Sequence, residues 1–296
     1  MKNKQFCLLG AFVTGVVLFA VASCEKMNLG DRSGSSDDEK EANVVVCVRS
    51  FEQTPFEAGT RAKKVSEVCT RLNFAVFDSG GERVQQKDQK VSDEDFGRAY
   101  FNLPVGNYRL VVLAHSSNGN PTLSNAQKIG FTNAKGYTDT FFSSQELNVG
   151  EDTISLNLNL KRIVAMVRFI PNDEPPARTD SIRFYYVGGS GTFDATADGW
   201  GVVKSKQTQW FKKETGTKKY EIYTIPRQDS QYLEVTAGAY QGADLLSSCV
   251  IDSIPIKRNC ITTCRGKLFD GKVTKASFTI TVDDQWESDT KIYVGN

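Results

Sequence analysis

The sequence predicts an all-β fold, and two observations carry that reading. From Val44 onward, short runs rich in Val, Ile, Phe, Tyr and Thr alternate with turn residues, the pattern of strands joined by tight connections. No long stretch repeats its apolar residues at the helical period, so helices are at most single turns. Many short strands with few helices build sandwiches or barrels.

The first element, residues 1–23, reads as an export leader. Lys2 and Lys4 precede an apolar run from Phe6 to Ala22, which ends in Val21-Ala22-Ser23-Cys24. A basic start, an apolar middle and a small-residue cut site make a secretory signal. The last four residues resemble the lipobox of bacterial lipoproteins, in which the Cys thiol is acylated before cleavage. That resemblance implies lipidation, with palmitate, at Cys24. The mature chain then starts at Cys24. No second long apolar run follows, so lipid is the only membrane attachment the sequence offers. Each buried CH₂ contributes about 0.8 kcal/mol, so a multi-chain lipid holds firmly.

Residues 24–42 form a lipidated, flexible tether. Gly30 to Glu41 has no apolar residue to bury and is expected to stay disordered. Lys and Arg total 36 against 35 Asp and Glu, without the basic surplus that a nucleic-acid partner calls for. Cys7 leaves with the leader and Cys24 carries lipid, which leaves Cys47, Cys69, Cys249, Cys260 and Cys264. Five is odd, so at least one thiol stays free or pairs outside the chain.

Strands are expected at 44–50, 68–77, 99–103, 107–114, 126–132 and 153–160. A second set is expected at 162–170, 181–187, 219–225, 231–240, 245–251, 273–282 and 290–294. A helical turn fits Ser92–Phe96, with Ser92 as its cap. Ile154, Leu156, Leu158 and Leu160 share one parity, whereas Ile163, Ala165, Val167 and Phe169 share the other. A change of parity moves the buried face to the opposite side. It predicts a kink near Lys161-Arg162 and a division into 43–160 and 161–296. A bulge within one long strand is the alternative.

Several ordered segments now carry a family resemblance. They are Thr70–Asp78, Leu103–Tyr108, Val112–Ser116, Leu160–Ala165, Phe184–Asp194 and Tyr223–Pro226. Together they resemble the FimB-type family of fimbrial anchor and accessory lipoproteins, within the type V fimbrillin superfamily. The resemblance covers residues 44–283. It implies two transthyretin-like β-sandwich domains on a lipid anchor in the cell outer membrane, facing outward. It implies a role in anchoring or capping fimbriae, with fimbrial stalk or accessory subunits as partners. Stalk subunits of that superfamily are opened by cleavage after an Arg near the first strand, and the gap accepts a neighbour's strand. Arg49 and Arg61 lie in that region, but an anchor must keep its N-terminus to stay on the lipid. The first domain is the expected strand acceptor, since the second is closed by its own strands at 273–282 and 290–294.

No catalytic constellation, cofactor motif or metal site emerges, so the chain is not expected to be an enzyme. His115 stands beside Ser116 and Ser117, but a triad also needs an orienting acid and an oxyanion hole. It reads as a loop His at a strand end. Gly188-Gly189-Ser190-Gly191 lacks the Gly-Lys-Ser/Thr ending of a phosphate loop and reads as a turn. Asp93-Glu94-Asp95 and Asp283-Asp284 lack the spacing of a calcium loop. Trp200, Trp210, Tyr185 and Tyr186 read as core or cross-strand aromatics; converging on one exposed face, they would instead make a surface glycan-binding lipoprotein. Cys47 shares parity with Val45 and Arg49, and Cys69 with Arg71 and Asn73. Both thiols then lie on the more polar faces of their strands, which allows a Cys47–Cys69 disulfide, or two free thiols.

Replacing Cys24 by Ala is expected to leave an unprocessed precursor that takes up no palmitate. A variant still cut before residue 24 and labelled as the parent is would contradict the assignment.

Overall fold

The computed structural model describes residues 41–52, 64–216, 219–270 and 278–283. The leader, Cys24, most of the tether, Arg61 and the strand expected at 290–294 lie outside the described residues. Alternation of apolar and polar side chains accounts for most of the strands that form. In chain order they open with β1 (Val44–Glu52), a single helical turn α1 (Val65–Val68), β2 (Arg71–Phe77), β3 (Arg83–Lys90) and β4 (Arg98–Phe101). Then come β5 (Gly106–His115), β6 (Ile129–Gly130), β7 (Phe141–Val149) and β8 (Ile154–Arg162). The second set is β9 (Ala165–Pro171), β10 (Ser181–Val187), β11 (Thr192–Asp194), β12 (Trp200–Gly201) and β13 (Lys206–Lys212). It ends with β14 (Tyr220–Thr224), β15 (Gln231–Gln241), β16 (Asp244–Ile256), β17 (Ile261–Gly266) and β18 (Thr279–Asp283).

The first set makes one seven-stranded sheet in the order β3-β2-β5-β7-β8-β1-β4. It turns back on itself where β7 and β8 touch at only two pairs, Phe141↔Arg162 and Phe142↔Lys161. Strand β1 lies inside it, parallel to β8 and antiparallel to β4. Val44, Val46 and Val48 of β1 point into a core shared with Leu72, Phe74, Val76, Leu110, Val112 and Leu160. The outer edges β3 and β4 then approach each other and close the sheet into a near-barrel. Glutamine side chains stitch that seam. Gln89 Nε2 donates to Arg98 O at 2.6 Å, Gln85 Nε2 donates to Asn102 O at 2.7 Å, and Gly97 N donates to Gln89 Oε1 at 3.1 Å. Each amide supplies a partner that an open strand edge would lack.

The second set makes two four-stranded sheets, β13-β10-β15-β16 and β14-β9-β17-β18. They share a second core containing Ala165, Val167, Phe169, Ile182, Phe184, Tyr186, Val235 and Ile251. A third core joins the two halves: Ala75, Phe77, Val111 and Leu113 pack with Ile163, Val164, Phe193 and Ile225. Because β2 and β5 serve the first core with one face and the third with the other, they read as nearly continuous apolar runs. A three-stranded sheet, β12-β11-β6, also crosses between the halves. All described residues belong to one unit spanning Ser36–Asn296.

The change of parity at Lys161-Arg162 coincides with this arrangement. Leu158 and Leu160 face the first core, Ile163 and Val164 the third, and Ala165, Val167 and Phe169 the second. Arg162 is the pivot. Its side chain has no exposed area, and Nε and Nη2 donate to the two carboxylate oxygens of Asp139 at 2.7 and 2.9 Å. Nη1 donates to Asn259 Oδ1 at 2.8 Å, and the guanidinium lies 4.6 Å from the Phe141 ring centre.

Other expectations need correction. The strand expected at 68–77 starts only at Arg71, because Val65–Val68 turns helical and Cys69 closes that turn. No helix forms at Ser92–Phe96. Successive tight turns run there, with Phe96 N donating to Asp93 O and Arg98 N to Asp95 O. Asp93 Oδ2 accepts Lys90 N at 2.9 Å across the first of these turns, and Ser92 caps nothing among the described residues. The strand expected at 126–132 shrinks to the two residues of β6, and the one at 245–251 runs on to Ile256. Strands β3, β7, β11, β12, β13 and β17 have no counterpart in the expected set. Several, such as the Arg-Val-Gln-Gln-Lys-Asp-Gln-Lys run of β3, lack apolar alternation and exist because a neighbour templates them.

Replacing Arg162 by Met strands a partly buried Asp139, and such a broken pair is expected to lose about 3–5 kcal/mol. Asn259 already has φ of 56°, so Asn259→Gly removes the side-chain bond without backbone strain and is expected to lose about 1 kcal/mol. Urea denaturation of both variants checks the order; equal midpoints for Arg162→Met and the parent would contradict it.

Candidate strand-docking site

Free backbone groups on a sheet edge are what a second chain can pair with. In the first half many are taken, except where β7 and β8 diverge beyond their two shared pairs and leave Ser143–Val149 and Ile154–Leu160 without a strand partner on that side among the described residues. Strand β1 fills its own place between β8 and β4, and the glutamine seam covers the outward carbonyls of Arg98 and Asn102. Arg49 sits at a register shift in β1, with its Nε donating to Asn157 Oδ1 at 2.7 Å. In the second half, β14 and β18 adjoin residues outside the described ones. Strand β16 is blunted: Ser253 has φ of 57° and Pro255 has no N–H to donate.

Strand β13 differs. Its odd residues turn their backbone groups toward β10, as the Lys213 N to Asp180 O bond indicates. Lys206, Thr208, Trp210 and Lys212 therefore turn their backbone groups outward. Asn133 covers one end of this edge: its Oδ1 accepts Thr208 N at 2.9 Å and its Nδ2 donates to Lys206 O at 3.4 Å. Among the described residues, nothing pairs with the outward N–H and C=O of Trp210.

The outer face beside that edge carries an aromatic–cation cluster. Register places Trp210, Arg183 and Gly238 in one row across β13, β10 and β15. A side chain at Gly238 would come within 2.9 Å of Tyr240 Cε2 and 3.0 Å of Leu245 Cδ1. Glycine thus lets the Tyr240 ring lie low over the sheet. The Trp210 and Tyr240 rings are 5.1 Å apart, and the Arg183 guanidinium lies 5.7 Å and 5.0 Å from their centres. Arg183 Nε is buried without a hydrogen-bond partner. Trp210 is 52% exposed.

The sequence-derived residues separate in space. Tyr186 is fully buried, and its hydroxyl donates to Tyr223 O at 2.9 Å. Trp200 lies under Arg258, whose guanidinium is 3.6 Å from the ring centre. Only Trp210 and Tyr185 share the outer face of the β13–β10 pair, so the four aromatics do not converge. The Gly188–Gly191 segment connects β10 to β11, and a Cβ at Gly189 would sit 1.9 Å from Thr224 Oγ1. Its glycines serve close packing. Asp283 lies in β18, and Asp284 is outside the described residues.

Cys47 and Cys69 are both buried free thiols, with no bridge between them. The parity argument fails at Cys69, which caps α1 instead of lying in a strand. Its thiol donates to Val65 O at 3.6 Å within the first core. Cys47 lies on the opposite face of β1 from Val46 and Val48. Burial pushes the Cys69 thiol up to about 12, so it holds its proton and is a poor nucleophile.

His115 is not a loop residue but the fully buried last residue of β5. Its Nδ1 accepts Ser117 N at 3.1 Å, so the proton sits on Nε2, which donates to Asn73 Oδ1 at 2.8 Å. Asn73 Nδ2 in turn donates to Asp88 Oδ1 at 2.7 Å. Burial, and then the nearby Arg71 charge, depress the imidazole to about 3. The neighbouring serines make no nucleophile–base pair with it.

A half-open polar cleft of about 630 Å³ lies between Phe77–Gly81 and Asn107–Arg109. Its charges are already engaged. Arg109 Nη2 donates to Glu146 Oε1 at 3.4 Å, and Asp78 Oδ1 accepts the Gly80 and Glu82 amides. Among the described residues, no cluster of three His, Cys, Asp or Glu side chains could hold a metal ion, and no helix is long and apolar enough to cross a membrane.

A family model described as Mfa2, fimbrillin-A associated anchor proteins Mfa1 and Mfa2, matches residues 37–290. No curated protein matches the chain. Among solved structures, the fimbrial anchor protein Mfa2 from Porphyromonas gingivalis is 10% identical with a TM-score of 0.42, over 81% of this chain and 96% of that one. A fimbrial assembly protein from Parabacteroides distasonis is 14% identical with a TM-score of 0.37, over 81% and 97%. A candidate polysaccharide-binding protein from Bacteroides thetaiotaomicron is 12% identical with a TM-score of 0.48, over 82% and 96%. Likeness of this degree assigns no residue a role.

The neutral His115 gives the fold a measurable pH dependence. An imidazole at about 3 when folded, against about 6.5 when unfolded, binds fewer protons in the native state. Its contribution is fully present above about pH 6.5 and is lost as pH falls toward 3, by about 1.4 kcal/mol per pH unit. Urea unfolding of the parent between about pH 6.5 and 4 should therefore fall more steeply than that of His115→Gln. Parallel curves would contradict the assignment.

Proposed function

The chain belongs to the family of fimbrillin-A associated anchor proteins, and on that premise we propose that it is an outer-membrane lipoprotein that anchors or caps fimbriae by accepting a strand. Membership implies fimbrial subunits as partners and a place at the cell surface or outer membrane, and the family is not one of enzymes. In this reading Cys24 carries the lipid, and residues 43–160 and 161–296 are two transthyretin-like β-sandwich domains. Their separate first and second cores support that division.

The observation that carries the mechanism is the open outward edge of β13 at Trp210. An extended segment of a fimbrial subunit adds there as a fifth strand of the β13-β10-β15-β16 sheet. Backbone pairing supplies affinity, and side chains on the shared face supply specificity. Trp210 is the anchor of that face, because a large amphipathic ring at an interface contributes apolar area at low entropic cost. In this reading the acceptor lies in the second half of the chain, because the β13 edge is the one beside the Trp210–Tyr240–Arg183 cluster, while the first half keeps β1 in place and its β3–β4 seam bridged. The four aromatics that would build a glycan platform are dispersed, so the anchoring role is the better supported of the two.

Trp210→Ala is expected to weaken fimbrial capture by about 2 kcal/mol, roughly thirtyfold. Trp210→Pro also removes the outward N–H, while the odd residues keep their bonds to β10; it is expected to lose about 1 kcal/mol more. Both are checked by counting fimbriae retained on cells against those shed into the medium, with circular dichroism to confirm folding. Normal retention by Trp210→Pro would refute strand acceptance at β13.

A further inference from the structure

We infer that the segment accepted at β13 is acidic on its outer face, and that its carboxylates are held by Lys206, Lys212 and the guanidinium of Arg183. The inference rests on the strand-acceptor reading and names the chemistry of the partner. Its first support is the state of Arg183. The side chain is clasped by Trp210 and Tyr240, yet among the described residues it makes no hydrogen bond or ion pair. A guanidinium has five N–H donors in a planar fork matched to a carboxylate. Contact with both rings holds the guanidinium beside them without using its donors. Arg183 Nε is already withdrawn from water and unpaired, so part of the desolvation that binding requires has been met on folding.

The second support is charge around the edge. Lys206 and Lys212 are exposed, lie at the two ends of β13 and turn to the same outer face as Trp210. Lys204 is exposed just before the strand. A like-charged strand would be repelled, whereas opposite charges directly across a strand pair contribute about 0.2–1 kcal/mol each. An added strand runs about 4.8 Å from β13 past the end that Asn133 covers, so its outer-face side chains are immediate neighbours of Lys212, and the long Lys206 side chain reaches toward them from the covered end. Acidic side chains there meet two ammonium groups and, across the Trp210 ring, the Arg183 fork. Apolar strands gain nothing from this arrangement, so the charges act as a filter on the partner.

The test uses the mature protein immobilised on a surface and fimbriae sheared from the producing cells, at roughly 0.05 and 0.5 M salt. For the parent, capture is expected to fall about tenfold at the higher salt. The triple variant K206Q/R183Q/K212Q, with the edge intact, is expected to bind at least about tenfold more weakly at low salt and to lose the salt dependence. Arg183→Lys keeps charge without the fork and should fall between the two. A triple variant within twofold of the parent, while Trp210→Pro loses capture, would overturn the acidic-strand inference and leave strand acceptance standing. Capture by Trp210→Pro at the parent's level would overturn both. Polyglucuronate that quenches Trp210 fluorescence in the parent but not in Arg183→Gln, with no capture of fimbriae by either protein, would overturn the peptide partner in favour of an anionic polysaccharide.

Discussion

The buried guanidinium of Arg162 is the constraint on which the arrangement of cores depends. A cation without water must have its donors satisfied, or the fold loses several kcal/mol. Asp139 supplies two acceptors and Asn259 a third, from segments far apart in sequence. Backbone bonds fix the same crossing: Ile163 N donates to Thr140 O at 3.0 Å, and Asn259 N donates to Val164 O at 2.9 Å. The start of β7, the end of β8 and the turn before β17 are thereby held at one point. Around that point the chain passes from the first core, through the third, into the second within seven residues. The two halves consequently share a packed core and a small sheet, unlike beads on a flexible linker.

Edge management follows from the same closure. A sheet that bends back on itself at the β7–β8 corner brings β3 and β4 together, and glutamine amides complete their unpaired groups. The His115–Asn73–Asp88 chain reaches from β5 through β2 to β3, linking the buried interior to that seam. Buried polar groups of this kind are tolerated because every member has a partner. Neutral imidazole is the form that fits, with one nitrogen accepting and the other donating.

The second half leaves an edge open. There the face beside it is not the ordinary polar surface of an exposed sheet but two touching aromatic rings with a guanidinium beside both, in the row of a glycine. Such a cluster is half-buried and adjacent to unpaired backbone groups. These are the properties of a surface prepared for another chain. A family of anchors needs to hold a polymer without being opened itself. On the proposed reading, a chain that retains β1 and offers β13 meets that need, because docking then leaves the N-terminal strand undisturbed.

The all-β class, most strands with clear alternation, and the change of core at Lys161-Arg162 are legible in the residue pattern alone. Strand 181–187 emerges in the structure with the bounds its alternation predicts, since Ile182, Phe184 and Tyr186 on one face face a single core. Local periodicity is enough wherever one face is buried and the other is not. It fails where both faces are buried, or neither is. Strand β3 has almost no apolar residue, and its pairing with β2 decides its conformation. Parity assigns Cys69 to a strand because it cannot see a single helical turn. The proposed docking face is illegible for another reason. Trp210, Arg183, Gly238 and Tyr240 lie on three strands, and no property of any one strand specifies its neighbour's register. Only tertiary structure sets that register, through the burial of the opposite faces of β13, β10 and β15 in the second core.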